Sequence, residues 1–234
     1  MFTINIAALE KVRKALACYK NIRWVIGGSC SGKTTLCRAL SKRDNVFVYD
    51  MDEHIFGGYM GRYTPRKHPA SKAWFSAENP LDWALSLSLD AFDNLNKAAN
   101  VEYLRLFSED MKKEKRGRLI VVDGGITHPS VLARVLPEQY IVCLRVSLAE
   151  SQRLWETDKS KKVMKEMISR LPHPREKWQK FLKLNALTTR TILKESRDCG
   201  IKIVDRDAAS APGLMKIFLS AGRWPLQPRG RNRT

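Results

Sequence analysis

Five short runs rich in apolar and β-branched residues punctuate the chain: IRWVIGG at 22–28, NVFVYD at 45–50, RLIVVDGG at 118–125, QYIVCLRVS at 139–147 and GIKIVDRD at 200–207. Such nearly unbroken apolar runs suit strands that are buried on both faces, as in a parallel sheet covered by helices. Between them the pattern changes to a helical period. Leu9, Val12, Leu16 and Tyr19, for instance, fall on one face of an N-terminal helix. The alternation predicts an α/β fold, a five-stranded parallel sheet flanked by helices and joined by right-handed crossovers. Chemistry is then expected at the carboxyl edge of the sheet. Each run ends there in fitting residues: Gly27 and Gly28, Asp50 with Asp52 beyond it, Asp123 to Gly125, Ser147, and Asp205 to Asp207.

Helix punctuation agrees. Asn79 before Pro80 reads as an N-cap followed by proline in the first turn, and Ser147 with Glu150 has capping-box spacing. Gly200 and Gly222 suit helix ends. The stretch 51–117 between the second and third strands is far longer than a crossover needs, so it is expected to be an insertion that covers the loop after the first strand, with a broken helical stretch from Leu81 to Lys115. A second helical and basic stretch, 153–175, is expected to be a lid. The parse is one domain over 1–222 and a basic tail over 223–234, expected to be disordered.

The segment GGSCSGKT, 27–34, fits G-x-x-x-x-G-K-[ST] and stands between a strand and a helix, the context that gives the pattern its meaning. Glycines let consecutive N–H groups face one anion, and the N-terminus of the following helix adds positive potential. Gly27, Gly28, Ser29, Cys30, Ser31, Gly32, Lys33, Thr34 and Thr35 are therefore the expected nucleotide-binding residues. Lys33 would neutralise the β- and γ-phosphates, while Thr34 and Asp123 would hold Mg²⁺. Gly124 and Gly125 follow Asp123 where water-activating ATPases commonly carry glutamate, and they allow a substrate to approach the backbone closely. NKAA at 96–99 lacks the aspartate of the guanine-reading motif, and DGGI is not D-x-x-G, which disfavours a signalling GTPase.

Charge widens the choice of partner. Forty-two Lys and Arg against 24 Asp and Glu leave a net +18, which attracts polyanions and steers anionic substrates. Nucleic acid is thus open as a partner beside a small anionic acceptor. No apolar run approaches the roughly 18 residues of a membrane span. The N-terminus does not read as a secretory signal. Five cysteines, an odd number without metal-ligand spacing, suit a reducing compartment, and a cytoplasmic location is expected.

The loop at 27–34, the DMD at 50–52, the glycine pair after the third strand, the basic stretch after the fourth and the VDRD ending the fifth together resemble the P-loop kinases of the nucleoside-monophosphate-kinase and shikimate-kinase-like group. The resemblance implies a 2-3-1-4-5 strand order, a lid, an acceptor-binding region, ATP or GTP as donor, and Mg²⁺. By the same resemblance Asp52 would orient or deprotonate the acceptor hydroxyl, Asp50 would lie near the metal, and Arg153 would be the lid arginine that reaches the base or the transferring phosphate. Lys159, Lys161 and Lys162 can close with it. Arg62 and Arg66, crowded with Lys67 and His68, suggest an acceptor bearing phosphate or carboxylate, since guanidinium groups grip such anions bidentately. Cys30 invites a lowered thiol pKa at the helix N-terminus, against the alternative of a small tolerated residue.

Three functions follow as expectations: a kinase acting on a small anionic metabolite or nucleotide, a 5′-hydroxyl kinase of RNA or DNA, and a nucleotide-dependent regulatory protein without transfer activity. ATP or GTP preference and oligomeric state are not encoded in these motifs.

Overall fold

A computed structural model describes residues 2–114 and 117–220. The five strands form where the apolar runs place them: β1 Ile22–Gly27, β2 Val46–Asp50, β3 Leu119–Asp123, β4 Ile141–Arg145 and β5 Lys202–Asp205. All pairings are parallel, and the order is β2-β3-β1-β4-β5. The register sets Asp50 beside Asp123 on neighbouring strands, and Val25 beside Asp123 on the other side. One sheet edge therefore gathers both aspartates next to the loop that leaves β1.

The helices are α1 Ile6–Leu16, α2 Lys33–Ser41, α3 Met51–Glu53, α4 Pro69–Phe75, α5 Pro80–Ser86, α6 Leu89–Met111, α7 Pro129–Leu132, α8 Leu148–Thr157, α9 Lys162–Ser169, α10 Pro174–Asp198 and α11 Ala211–Ser220. Alternation along each strand sorts side chains to two faces. Ile22, Trp24, Ile26, Ile120, Val122, Ile141 and Cys143 join the core under α1, α6, α7 and α10. Val25, Val121, Val142 and Leu144 join a smaller core under α2 and α11. The helix face named from the sequence is buried throughout, with Leu9, Val12, Leu16 and Tyr19 all inside.

Arg23 shows how the smaller core closes. Its guanidinium, 1% exposed, donates to the carbonyls of Phe218 at 3.1 Å, Lys20 at 2.8 Å and Ile22 at 2.9 Å, and lies 4.1 Å from the Tyr140 ring centroid. A cation there satisfies a carbonyl near the C-terminal end of α11, where the helix dipole is negative.

The long helical stretch is broken, as expected, at Leu87 and Ser88. Asn79 caps α5 by accepting from the Asp82 amide at 3.1 Å, and Ser88 caps α6 by accepting from Ala91 at 3.1 Å. Each such cap is worth about 1 kcal/mol. Ser147 likewise accepts from the Glu150 amide at 3.1 Å, but the carboxylate of Glu150 pairs with Arg153, so this is a one-sided cap and not a capping box. Gly200 closes α10 with φ +69. Lys115, Gly222 and the tail 223–234 lie outside the described residues.

The insertion and the expected lid do not stand as separate covers. Trp155 of α8, Ile168 of α9 and Leu171 pack with Phe181, Leu182 and Leu184 of α10 and with Leu85 of α5. An ion pair between Lys177 and Asp82, 2.8 Å, adds a second tie between α10 and α5. Between them these elements roof the carboxyl edge of the sheet. No helix among the described residues is long and apolar enough to cross a membrane.

Candidate functional site

The turn after β1 has the backbone its glycines permit. Gly27 has φ +151 and Gly32 φ +84, and Gly32 serves as the N-cap of α2. A methyl on Gly28 would lie 2.4 Å from Thr189 Oγ1 of α10, so no larger residue fits between the loop and that helix. The first N–H groups of α2 have no partner within the helix and point along its axis towards the loop. Lys33 folds over the turn and donates to the carbonyls of Gly27 at 2.9 Å and Gly28 at 3.0 Å. Ser29 is held from outside, its hydroxyl 2.7 Å from Asn185 Oδ1 and its carbonyl accepting from Ser151 at 3.1 Å. Arg206, beyond β5, reaches across to the carbonyl of Cys30 at 3.1 Å. Thr34 and Thr35 stand in the first turn of α2.

Cys30 stands in surroundings that disfavour its thiolate. It is one of three non-glycine residues with positive φ, +65, among the described residues, and its side chain packs with the cluster around Trp155 and Leu85. Burial pushes its thiol pKa up, outweighing the opposing effect of Lys161. Of the two readings of Cys30, the direction favours the small tolerated residue over the lowered pKa, because the apolar roof disfavours thiolate more than nearby cations favour it.

Asp123 ends β3 almost fully buried, and its Oδ1 has no hydrogen-bond partner. Burial raises its carboxyl pKa, opposed by a hydrogen bond from Thr34 and by Lys33, with Asp50 and Asp52 adding to the rise. A buried carboxylate with an unsatisfied oxygen, beside a threonine hydroxyl and the turn at 27–34, has the chemistry that the Mg²⁺ expected from the sequence would need. Mg²⁺ takes few protein ligands and completes its shell with phosphate and water. Asp50 contributes less directly, since its Oδ1 caps α3 by accepting from the Glu53 amide at 3.0 Å.

Asp52 projects from α3 to the far side of the loop. A methyl built on Gly124 would lie 3.3 Å from Asp52 Oδ2 and 3.5 Å from Lys33 Cε, so the carboxylate, the lysine and the glycine pair converge on one point. The Gly125 amide donates to Asp52. Asp52 is accessible to solvent, yet what it faces is a cavity and not the open surface. That enclosure raises its carboxyl pKa, with Lys33 opposing and Asp50 adding to the rise.

The cavity, about 660 Å³, runs from Gly27, Gly28 and Lys33 past Asp52 and out between α4, α9 and α10. Phe56, Trp74 and Phe75 form one wall. Trp74 and Phe75 are stacked with centroids 5.4 Å apart, and Phe56 meets them edge-on at 6.1 and 5.8 Å. Met164 and Met167 of α9 stand on another side, and Asn96, Asn100 and Tyr103 of α6 also line it.

The basic residues singled out in the sequence lie elsewhere. Arg62 donates to Asp110 at 2.7 Å and Glu109 at 3.2 Å, and its guanidinium lies 5.0 Å from the Tyr59 centroid. Arg66 is exposed, and neither arginine lines the cavity. Arg153 pairs with Glu150 at 2.7 Å on the outer face of α8. Lys161 lies 5.1 Å from the Trp155 centroid, on the roof. The structure thus brings together Lys33, Thr34, Asp50, Asp52, Asp123, Gly124 and Gly125, and leaves Arg62, Arg66 and Arg153 apart from them.

Asn100, Asn185, Thr189 and Arg206 were not found in the sequence. Each is an ordinary polar residue in a helix or turn, and only packing brings it to the loop or the cavity. Comparison of the chain with protein-family models, with curated proteins and with solved structures gives no match.

Proposed function

We propose that the chain is a P-loop kinase that transfers the γ-phosphoryl group of ATP or GTP to a hydroxyl of a small molecule. The observation that supports this reading is that Asp52 Oδ2 and Lys33 Cε face the same space over Gly124, where an added methyl would lie 3.3 and 3.5 Å from them. Asp52 would orient the hydroxyl and accept its proton. The acceptor oxygen forms a bond to the γ-phosphorus while the bond from that phosphorus to the β,γ-bridging oxygen breaks. ADP or GDP leaves, and the proton passes from Asp52 to water. Lys33 and the amides of residues 28–34 would neutralise the charge that gathers on the phosphoryl oxygens. Mg²⁺, held at Thr34 and Asp123, would supply further charge neutralisation on the β- and γ-phosphates.

Two features support transfer over hydrolysis. Gly124 and Gly125 carry no base to activate water, and α10 and α8 pack on the loop through the hydrogen bonds of Asn185 and Ser151 to Ser29. Exclusion of water on substrate binding would strengthen the charge interactions there and suppress loss of phosphate to solvent. The test is transfer from γ-labelled ATP across a panel of hydroxylated compounds. Asp52→Asn should lower kcat by about 10²- to 10⁴-fold with nucleotide affinity kept. Unchanged turnover in that variant would remove Asp52 from the reaction.

A further inference from the structure

The acceptor half of the cavity is built for a particular chemistry. Among the described residues that line it only Lys33 and Asp52 carry charge, and both stand at the phosphoryl end, so no other described cation lies on that wall. An acceptor bearing phosphate or carboxylate would therefore be buried there without a counter-charge, which is strongly unfavourable. The remaining surface is aromatic and thioether. Phe56, Met60 and Met167 are 55%, 48% and 46% exposed, and all three line this one opening. Apolar groups left open to water at a concave site favour an apolar guest, and the volume falls within the range of about 300–1,000 Å³ usual for small-molecule sites.

Asn100 adds a directional signal. Its Oδ1 accepts from the amides of Thr127 at 2.9 Å and His128 at 2.8 Å, which fixes the orientation of its side-chain amide. Its Nδ2 is left without a partner in a side chain that is 0% exposed, on the cavity wall. A buried donor without an acceptor costs about 1–3 kcal/mol unless a ligand satisfies it.

We propose that the acceptor is an uncharged, mostly apolar ring compound that presents one hydroxyl to Asp52 and one oxygen acceptor to Asn100 Nδ2. This rests on the kinase reading and replaces the anionic acceptor expected from Arg62 and Arg66. The ring stacks on Trp74 and Phe75, and the methionines of α9 adapt to its outline. The transfer step is the one given above, with this hydroxyl as nucleophile and the nucleoside triphosphate as donor.

Two probes on the full chain test it separately from the kinase reading. The uncharged dye Nile red reports the apolar half, and the fluorescent N-methylanthraniloyl derivative of ATP, with Mg²⁺, reports the phosphate loop. The expected result is saturable dye binding at one site, weakened at least tenfold by either Phe56→Glu or Met167→Glu, with nucleotide-analogue affinity unchanged. Both side chains are already exposed, so these variants should fold. In the transfer assay 2-(6-methoxynaphthalen-2-yl)ethanol, which carries both a hydroxyl and a separate oxygen acceptor, should be favoured over glycerol 3-phosphate, and Phe56→Glu should narrow the gap. Nucleotide binding without saturable dye binding, dye binding indifferent to both variants, or preference for glycerol 3-phosphate overturns the acceptor class and leaves the phosphate loop standing. Dye binding without nucleotide binding overturns the kinase reading, and with it the role of acceptor.

Discussion

The indole of Trp24 donates to the carbonyl oxygen of Gly124 at 2.9 Å, tying the middle of β1 to the glycine pair that follows β3. Trp24 is fully buried and meets Phe107 of α6 edge-on at 5.0 Å. One side chain thus fixes both the large core and the strap facing Asp52. Trp24→Phe keeps most of the packing but leaves the Gly124 carbonyl without this donor. It should cost about 1–3 kcal/mol, read as a shift in urea midpoint at unchanged slope. A midpoint equal to that of the parent chain would show that the bond contributes nothing.

Gly125 should tolerate substitution far worse than Gly200. Both have φ near +70, so alanine strains the backbone of either by about 1–2 kcal/mol. At Gly200 nothing lies within 4 Å of the added methyl, whereas at Gly125 it would sit 2.0 Å from Met51 Cγ. Gly125→Ala should therefore lose clearly more stability than Gly200→Ala in parallel denaturation. Equal losses would mean that Met51 can move aside and that the strap is not tightly held.

Arg62 is predicted to be structural. Asp110 accepts from both Arg62 and the Tyr49 hydroxyl, and the Tyr49 and Tyr59 hydroxyls are 2.6 Å apart, so the network staples the insertion to the end of α6. Arg62→Ala should lower stability by about 1.5–3 kcal/mol, the range for hydrogen bonds to charged groups, and leave the acceptor KM unchanged. A raised KM with unchanged stability would return Arg62 to the substrate.

His68 supplies a pH dependence. Its ring is buried, Nδ1 accepts from the Thr64 amide at 3.2 Å, and burial together with Arg105 lowers its pKa from 6.5 to about 4. The unfolded chain therefore binds a proton in a window where the folded chain does not. The share of stability due to this residue is complete above about pH 6.5 and is lost as pH falls towards 4. His68→Gln should flatten the stability profile between those values, measured by urea denaturation at several pH values. An unchanged slope would place the acid sensitivity elsewhere.

The sheet was legible because the buried strands β1, β3 and β4 leave nearly unbroken apolar runs and the more exposed edge strands β2 and β5 are still rich in β-branched residues, and the turn at 27–34 because its glycines answer a backbone need that few other residues meet. Asp52 and Asp123 could be singled out because strand ends are visible in the pattern. The chemistry of the acceptor pocket was not. Arg62 looked like part of an anion site because Glu109 and Asp110, its partners across the fold, lie more than forty residues further on. Phe56, Trp74 and Phe75 carry no local mark that separates a cavity wall from core, and the missing partner of Asn100 Nδ2 arises from tertiary packing that no local pattern encodes.

The central claim is that residues 27–35 hold a nucleoside triphosphate. Titration calorimetry of the full chain with MgATP and MgGTP tests it most directly. The account predicts binding at one site by at least one of them, weakened at least tenfold, about 1.4 kcal/mol, by Lys33→Ala. Affinity for neither nucleotide, or equal affinity in the variant, would contradict it.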